Sequence, residues 1–273
     1  MDELIIAVAP HQGESVSADF PDGFSVTDEI IRCYSAGAAV VHLHPLDPSG
    51  VQVADNRWLA QNVRAVHAAV PIIVEGSTGS LGDSTPAERS VALDVPGVEM
   101  GSLNAGSINM AGRVFLNPYP DICYYASAMQ RRGIKPTIMC FDLSHFVNAA
   151  RLIADGLITP PYAFGFVFGV PDTLPYADRY IEHFLNEMPP GAHLWFLVRH
   201  FSRGAQDFIK ALESGGHVRL GFEDSFLLSD GRRARSNAEL VEEMVRLAEL
   251  VGRKVVGSAR AREIMGLDWR HQD

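Results

Sequence analysis

Val40-Val41-His42-Leu43-His44-Pro45 reads as the end of a buried β-strand that carries two histidines on one face. Side chains at i and i+2 of a strand point the same way. Val41 and Leu43 then form an apolar back, and Pro45 ends the strand. Two imidazoles so placed are either a hydrogen-bonded pair at a strand end or half of a metal site.

Outward from this stretch, short apolar runs alternate with segments of helical period. Strands are predicted at Leu4–Ala9, Ala39–His44, Ile72–Glu75, Val98–Met100, Thr137–Phe141, Phe164–Phe168, Leu194–Val198 and Val218–Gly221. Helices are predicted near 26–36, 56–69, 86–93, 119–132, 143–155, 175–188, 204–214 and 237–251. Thr27 and Asp28 can cap the first helix, and Ser236 the last, with Glu239 three residues on. Eight short apolar strands, each followed by a helix, match a (β/α)8 TIM barrel of the α/β class. A doubly wound sheet is the rival, lowered by the lack of G-x-G-x-x-G after the first strand. With no linker or composition shift, residues 1–273 read as one domain, with an excursion near 108–118 after the fourth strand.

The chain has 273 residues, and its formal charge of −10 argues against a nucleic-acid surface. No apolar run approaches the ~20 residues that span a bilayer. Met1-Asp2-Glu3 lacks the basic start of a secretory signal. Cys33, Cys123 and Cys140 are widely spaced and odd in number, so neither a disulfide framework nor a zinc ribbon is expected. A cytoplasmic location follows as the expectation.

In a barrel, the active site lies at the C-terminal ends of the strands. Glu14 follows strand one, and His42 and His44 end strand two. Glu75, Ser77 and Thr78 end strand three, and Ser102 and Asn104 end strand four. Asp142 ends strand five, Arg199-His200 strand seven. Strand eight reads Val218-Arg219-Leu220-Gly221-Phe222-Glu223-Asp224, and extended geometry would put Arg219, Gly221 and Glu223 on one face. Arg219 and Glu223 are then either a salt bridge between loops or part of a site. In the second case Glu223 is a third metal ligand, and two His plus one carboxylate leave positions open for catalysis.

At this point the chain resembles the β-keto acid cleavage enzymes, the family of the 3-keto-5-aminohexanoate cleavage enzyme. The matching stretches are Val41-His42-Leu43-His44, Ser77-Thr78-Gly79, Leu103-Asn104-Ala105-Gly106, Phe168-Gly169-Val170-Pro171 and Gly216 to Asp224, followed by Ser236-Asn237-Ala238-Glu239-Leu240-Val241. They run in family order over nearly the whole chain. The resemblance implies a TIM barrel with a divalent metal, usually Zn2+, and acetyl-CoA as co-substrate. It implies conversion of a β-keto acid and acetyl-CoA to acetoacetate and a new acyl-CoA, in a homo-oligomer, a tetramer by family resemblance. By position, His42, His44 and Glu223 look like the metal ligands, Asp224 the base and Arg219 its electrostatic partner. Ser77, Thr78, Ser102 and Asn104 look like substrate binders, and Glu14 like a carboxylate at the variable end of the substrate.

One departure stands out. The family commonly reads Pro-Glu-x-Glu in strand five, where this chain has Pro136-Thr137-Ile138-Met139. Loss of the second acid favours an uncharged substrate tail, because a buried ammonium would lack a partner; Glu14 argues the other way. The CoA phosphates would have to meet loop arginines such as Arg199, Arg203 or the Arg232-Arg233-Arg235 run. A class II aldolase or metal-dependent decarboxylase acting without CoA would use the same donors, and a non-catalytic metal-binding barrel also stays open.

Overall fold

The computed structural model describes residues 2–11, 25–80 and 83–268. Among them, eight parallel strands close a barrel: β1 (Ile6–Val8), β2 (Val40–Leu43), β3 (Ile73–Gly76), β4 (Val98–Asn104), β5 (Lys135–Cys140), β6 (Ala163–Phe168), β7 (Leu194–Arg199) and β8 (His217–Leu220). Each pairs with its sequence neighbours, and β8 closes on β1 with Val218, Arg219 and Leu220 opposite Ile6, Ala7 and Val8. The predicted strands are therefore present, with shifts of one or two residues at most ends and four at the end of β4. Helices pack outside, because strands buried on both faces need an apolar cover. Phe146 stacks on Phe164 at 5.6 Å and meets Phe184 edge-on at 5.2 Å, sealing β6 beneath two of those helices. Burial of each such ring contributes ~1.5–3 kcal/mol.

α1 (Val26–Ala36) matches its prediction, but its cap does not. Ser25 Oγ accepts from the Asp28 N–H at 3.2 Å, so Thr27 and Asp28 lie inside the first turn. The helix ends at Gly37, whose φ of +121° favours glycine. Ser236 does cap the helix Asn237–Leu250, accepting from Glu239 N at 3.2 Å. Two features went unpredicted. A helix at Ser258–Met265 and a two-residue parallel ladder of Glu3–Leu4 with Lys254–Val255 lie at the N-terminal end of the barrel. There Val256, Ala261 and Met265 join Ile5, Val40 and Ile73 in one apolar cluster.

The excursion after β4 is an antiparallel hairpin of Ile108–Met110 with Arg113–Phe115. Its tip docks on the loop after β6, where Ala111 N donates to Pro171 O at 3.0 Å and Gly112 N to Asp172 Oδ2 at 2.7 Å. Its base is held by buried Arg89, which donates to Thr78 O, Leu116 O and Asn117 Oδ1. Three hydrogen bonds and two aromatic faces, Phe115 and Tyr125, offset the cost of burying this guanidinium. The hairpin thus overhangs the C-terminal mouth of the barrel.

No helix among the described residues is long and apolar enough to cross a membrane. All three cysteines are free, with Cys33 and Cys140 buried.

Candidate active site and metal centre

The in-register pairing of β2 with β3 sets His42 beside Glu75 on the barrel's inner face. The His42 Nδ1 lies 2.7 Å from Glu75 Oε2, and the other Glu75 oxygen accepts from the Thr137 hydroxyl on β5. Burial pushes the Glu75 carboxyl up, but His42 and Thr137 outweigh it, so the group sits below the ordinary carboxylate value. A carboxylate on Nδ1 fixes the proton there and leaves the Nε2 lone pair free. That Nε2 lies 3.3 Å from the Nε2 of His44. Both rings are buried, and the same-face reading of residues 42 and 44 holds.

Glu223 completes the group by a route the extended-strand reading missed. β8 ends at Leu220, and Gly221 takes a φ of +135°. A Cβ there would lie 2.2 Å from Ala9 O. The chain turns tightly, with Asp224 N and Ser225 N both donating to Gly221 O and Glu223 N donating to Ala9 O. Adjacent residues on a strand would face opposite ways. The turn instead brings both carboxylates to Arg219: Glu223 Oε1 at 2.8 Å, and Asp224 through Oδ1 at 2.8 Å and Oδ2 at 3.0 Å. Asn237 clamps this turn, accepting from Phe222 N at 2.7 Å and donating to Pro10 O.

His42, His44 and Glu223 each offer a donor atom within 4.8 Å of the others. Glu223 Oε2 is buried without a hydrogen-bond partner, 3.5 Å from His44 Nε2. Tetrahedral zinc with bonds of ~2.0–2.1 Å sets its donors roughly 3.3 Å apart, the separation of the two imidazole nitrogens. The donor set and the orphaned oxygen therefore fit a divalent cation. Burial pushes Glu223 up, but Arg219, His42 and His44 hold it well below the usual carboxylate range. Burial likewise disfavours the Arg219 charge, and Asp224 and Glu223 more than restore it. His11, after β1, is kept neutral by burial and by His44, with a pKa of about 4.

His42, His44, Arg219 and Glu223 line a cleft of about 280 Å³ at the barrel mouth. Ser77, Ser102 and Asn104 line it as expected. Thr78 does not. It is fully buried, its hydroxyl turned onto Ser102 O and its N–H onto Ser102 Oγ, so it braces a wall residue. Asp224 also lies behind the wall, its side chain 1% exposed and gripped by Arg219. His200 stands between it and the cleft, Nε2 3.3 Å from Asp224 Oδ1, and burial holds that imidazole below its ordinary pKa. Glu14 lies outside the described residues.

Several contributors were not assigned from the sequence. Glu75 was seen only as a polar strand end, although its place opposite His42 follows once two adjacent parallel strands are aligned. Met110 and Phe115 reach the cleft from the hairpin, which no local pattern announces. The loop arginines are already engaged. Arg199 binds His200 O and lies over Tyr176, and Arg232 and Arg235 bind Glu239. Arg203 has an 80% exposed side chain, 3.6 Å from Asp207.

A profile described as beta-keto acid cleavage enzyme matches residues 5–267. The chain is 34% identical to the 3-keto-5-aminohexanoate cleavage enzyme of Acetoanaerobium sticklandii, over 98% of this chain and 99% of that protein. It is 33% identical to the 3-oxoadipate:acetyl-CoA acetyltransferase of Cupriavidus necator, over 86% and 83% respectively. Among solved structures, apo ObcA superposes with a TM-score of 0.74 at 22% identity, over 89% of this chain and 64% of ObcA, a likeness of fold.

Proposed function

Because the chain belongs to the β-keto acid cleavage enzyme family, we propose that it converts a β-keto acid and acetyl-CoA to acetoacetate and a new acyl-CoA. The observation that carries this reading is the convergence of His42, His44 and Glu223 at one cleft beside Arg219, which holds Asp224 just behind the wall. Zn2+ or another divalent ion held by those three residues would draw charge from bound keto and carboxylate oxygens and ease proton loss from the carbon between them.

Asp224 is the base in this reading. It removes a proton from C2 of the β-keto acid, and Arg219 compensates the negative charge that develops. A substrate carboxylate that takes a donor from Arg219, with the His200 ring turned aside, would free Asp224 Oδ1 to face C2; catalytic contacts often form only in the complex. The C2 carbanion attacks the acetyl thioester carbon and CoA thiolate leaves. The thiolate then adds to the original ketone carbon, and the bond from that carbon to C2 breaks. The electron pair returns to C2, which regains a proton as acetoacetate, and the acyl group leaves on CoA. Ser77, Ser102 and Asn104 hold the substrate's oxygens, with Thr78 behind them. Arg203, with its side chain 80% exposed and its guanidinium 3.6 Å from Asp207, is the foremost candidate for a CoA phosphate.

The same reading treats residues 1–273 as one barrel domain, working in the cytoplasm as a homo-oligomer. The test is a panel of β-keto acids with acetyl-CoA, following acetoacetate and acyl-CoA together. Their appearance in equal amounts supports acyl transfer. Product formation without consumption of acetyl-CoA would instead favour a metal-dependent aldolase or decarboxylase.

A further inference from the structure

The cleft has two unlike walls. His42, His44, Ser77, Ser102, Asn104 and Arg219 face it on one side. On the other stand Met110, Phe115, Met139, Phe141, Val167 and Val198, an apolar cluster of their own, separate from the cores below and outside the barrel. Phe115 and Phe141 meet edge-on at 6.2 Å, and the hairpin carrying Met110 and Phe115 is pinned by Arg89 and by the loop after β6. The wall is therefore preformed rather than assembled from loose side chains.

Met139 sits at the seam between the walls. Its register partner on β4 is Asn104, on the polar side, and its partner on β6 is Gly165. A Cβ at Gly165 would lie 2.4 Å from the Met139 sulfur, so the thioether occupies space that only glycine leaves open. Glu75, a buried carboxylate that shares a small cavity with Met139 and Val198, is committed to His42 and Thr137.

We propose that the variable end of the β-keto acid is an uncharged alkyl chain, lying on the wall formed by Met110, Phe115, Met139, Phe141, Val167 and Val198. The inference rests on the β-keto acid reading above: the keto and carboxylate oxygens engage the polar wall, which directs the tail across Met139. An ammonium there would give up its water for methyl and aromatic surface, whereas each methylene gains from leaving water.

The test compares 3-oxohexanoate and 3-oxoheptanoate with 3-oxo-5-aminohexanoate and 3-oxoadipate on the zinc-loaded enzyme. Two readouts are taken: kcat/KM with acetyl-CoA, and calorimetric binding of each acid without it. The alkyl acids should lead both by more than tenfold. The added methylene should raise kcat/KM roughly fourfold, the equivalent of ~0.8 kcal/mol. Met139→Glu should move the preference towards the 5-amino acid by tenfold or more, and Met139→Leu should retain the alkyl preference. Binding led by the ammonium or dicarboxylate acid would overturn the alkyl tail, whatever the turnover. Alkyl acids that bind in the expected order yet yield no acetoacetate would sustain the tail and overturn acyl transfer.

Discussion

Replacing Glu75 by Gln isolates what a carboxylate behind a metal ligand contributes. The His42 Nδ1 to Glu75 Oε2 contact is 2.7 Å long, with side-chain exposures of 3% and 7%. A hydrogen bond to a charged group contributes ~1.5–3 kcal/mol, and a neutral one ~0.5–1.5 kcal/mol. Glutamine keeps the shape, so the loss is the difference, ~1–1.5 kcal/mol. That is about a tenfold fall in metal affinity, at the lower end of the ~10–100-fold seen for such partners. The apo fold should respond differently, because the amide removes a buried charge as well as its attraction to His42. These opposing effects leave apo stability changed by less than ~1 kcal/mol. The assay is zinc affinity by chelator competition at pH 7, beside the urea midpoint of the metal-free protein. Thr137→Val is the control, since it removes the contact to the other oxygen and spares His42. Zinc affinity within twofold of the parent in Glu75→Gln would refute the reasoning. So would an equal loss in Thr137→Val.

Three further outcomes are expected. The protein should hold about one divalent ion per chain by elemental analysis, and His42→Ala/His44→Ala should hold none; full occupancy there would locate the metal elsewhere. Asp224→Asn should keep the metal and lose turnover by ~10²-fold or more, and near-normal turnover would remove Asp224 as the base. His217, whose Nδ1 accepts from Ile5 N inside the barrel, is brought from the ordinary 6.5 to a pKa of about 3 by burial and then by Arg253. The unfolded chain takes up that proton first, so the contribution of His217 is whole above pH 6.5 and fades as pH falls towards 3. The slope is up to ~1.4 kcal/mol per pH unit. His217→Asn, which retains an acceptor for Ile5 N, should flatten the fall in urea-unfolding stability between pH 6.5 and 4. An unchanged slope would contradict the assignment.

What the sequence alone determined was whatever depends on local period and order. Strands such as Val40–Leu43 and Ala163–Phe168 were legible because a run buried on both faces is apolar throughout. Their alternation with helices made the barrel readable, and its closure put every strand's C-terminal end at one mouth. His42 and His44 share a face because a strand repeats every two residues, which no distant contact alters. Tertiary structure decided what depends on register and on turns. Glu75 became the partner of His42 only through the alignment of two strands separated by a helix. Glu223 and Asp224 reached Arg219 together because Gly221 turns the chain under Ala9, a contact between residues more than two hundred positions apart. The same packing turned Thr78 away from the cleft and laid Met110 and Phe115 over it. Side-chain direction at a strand end is set by what the neighbouring loops bury and hydrogen-bond, and that is not written in the period of any single segment.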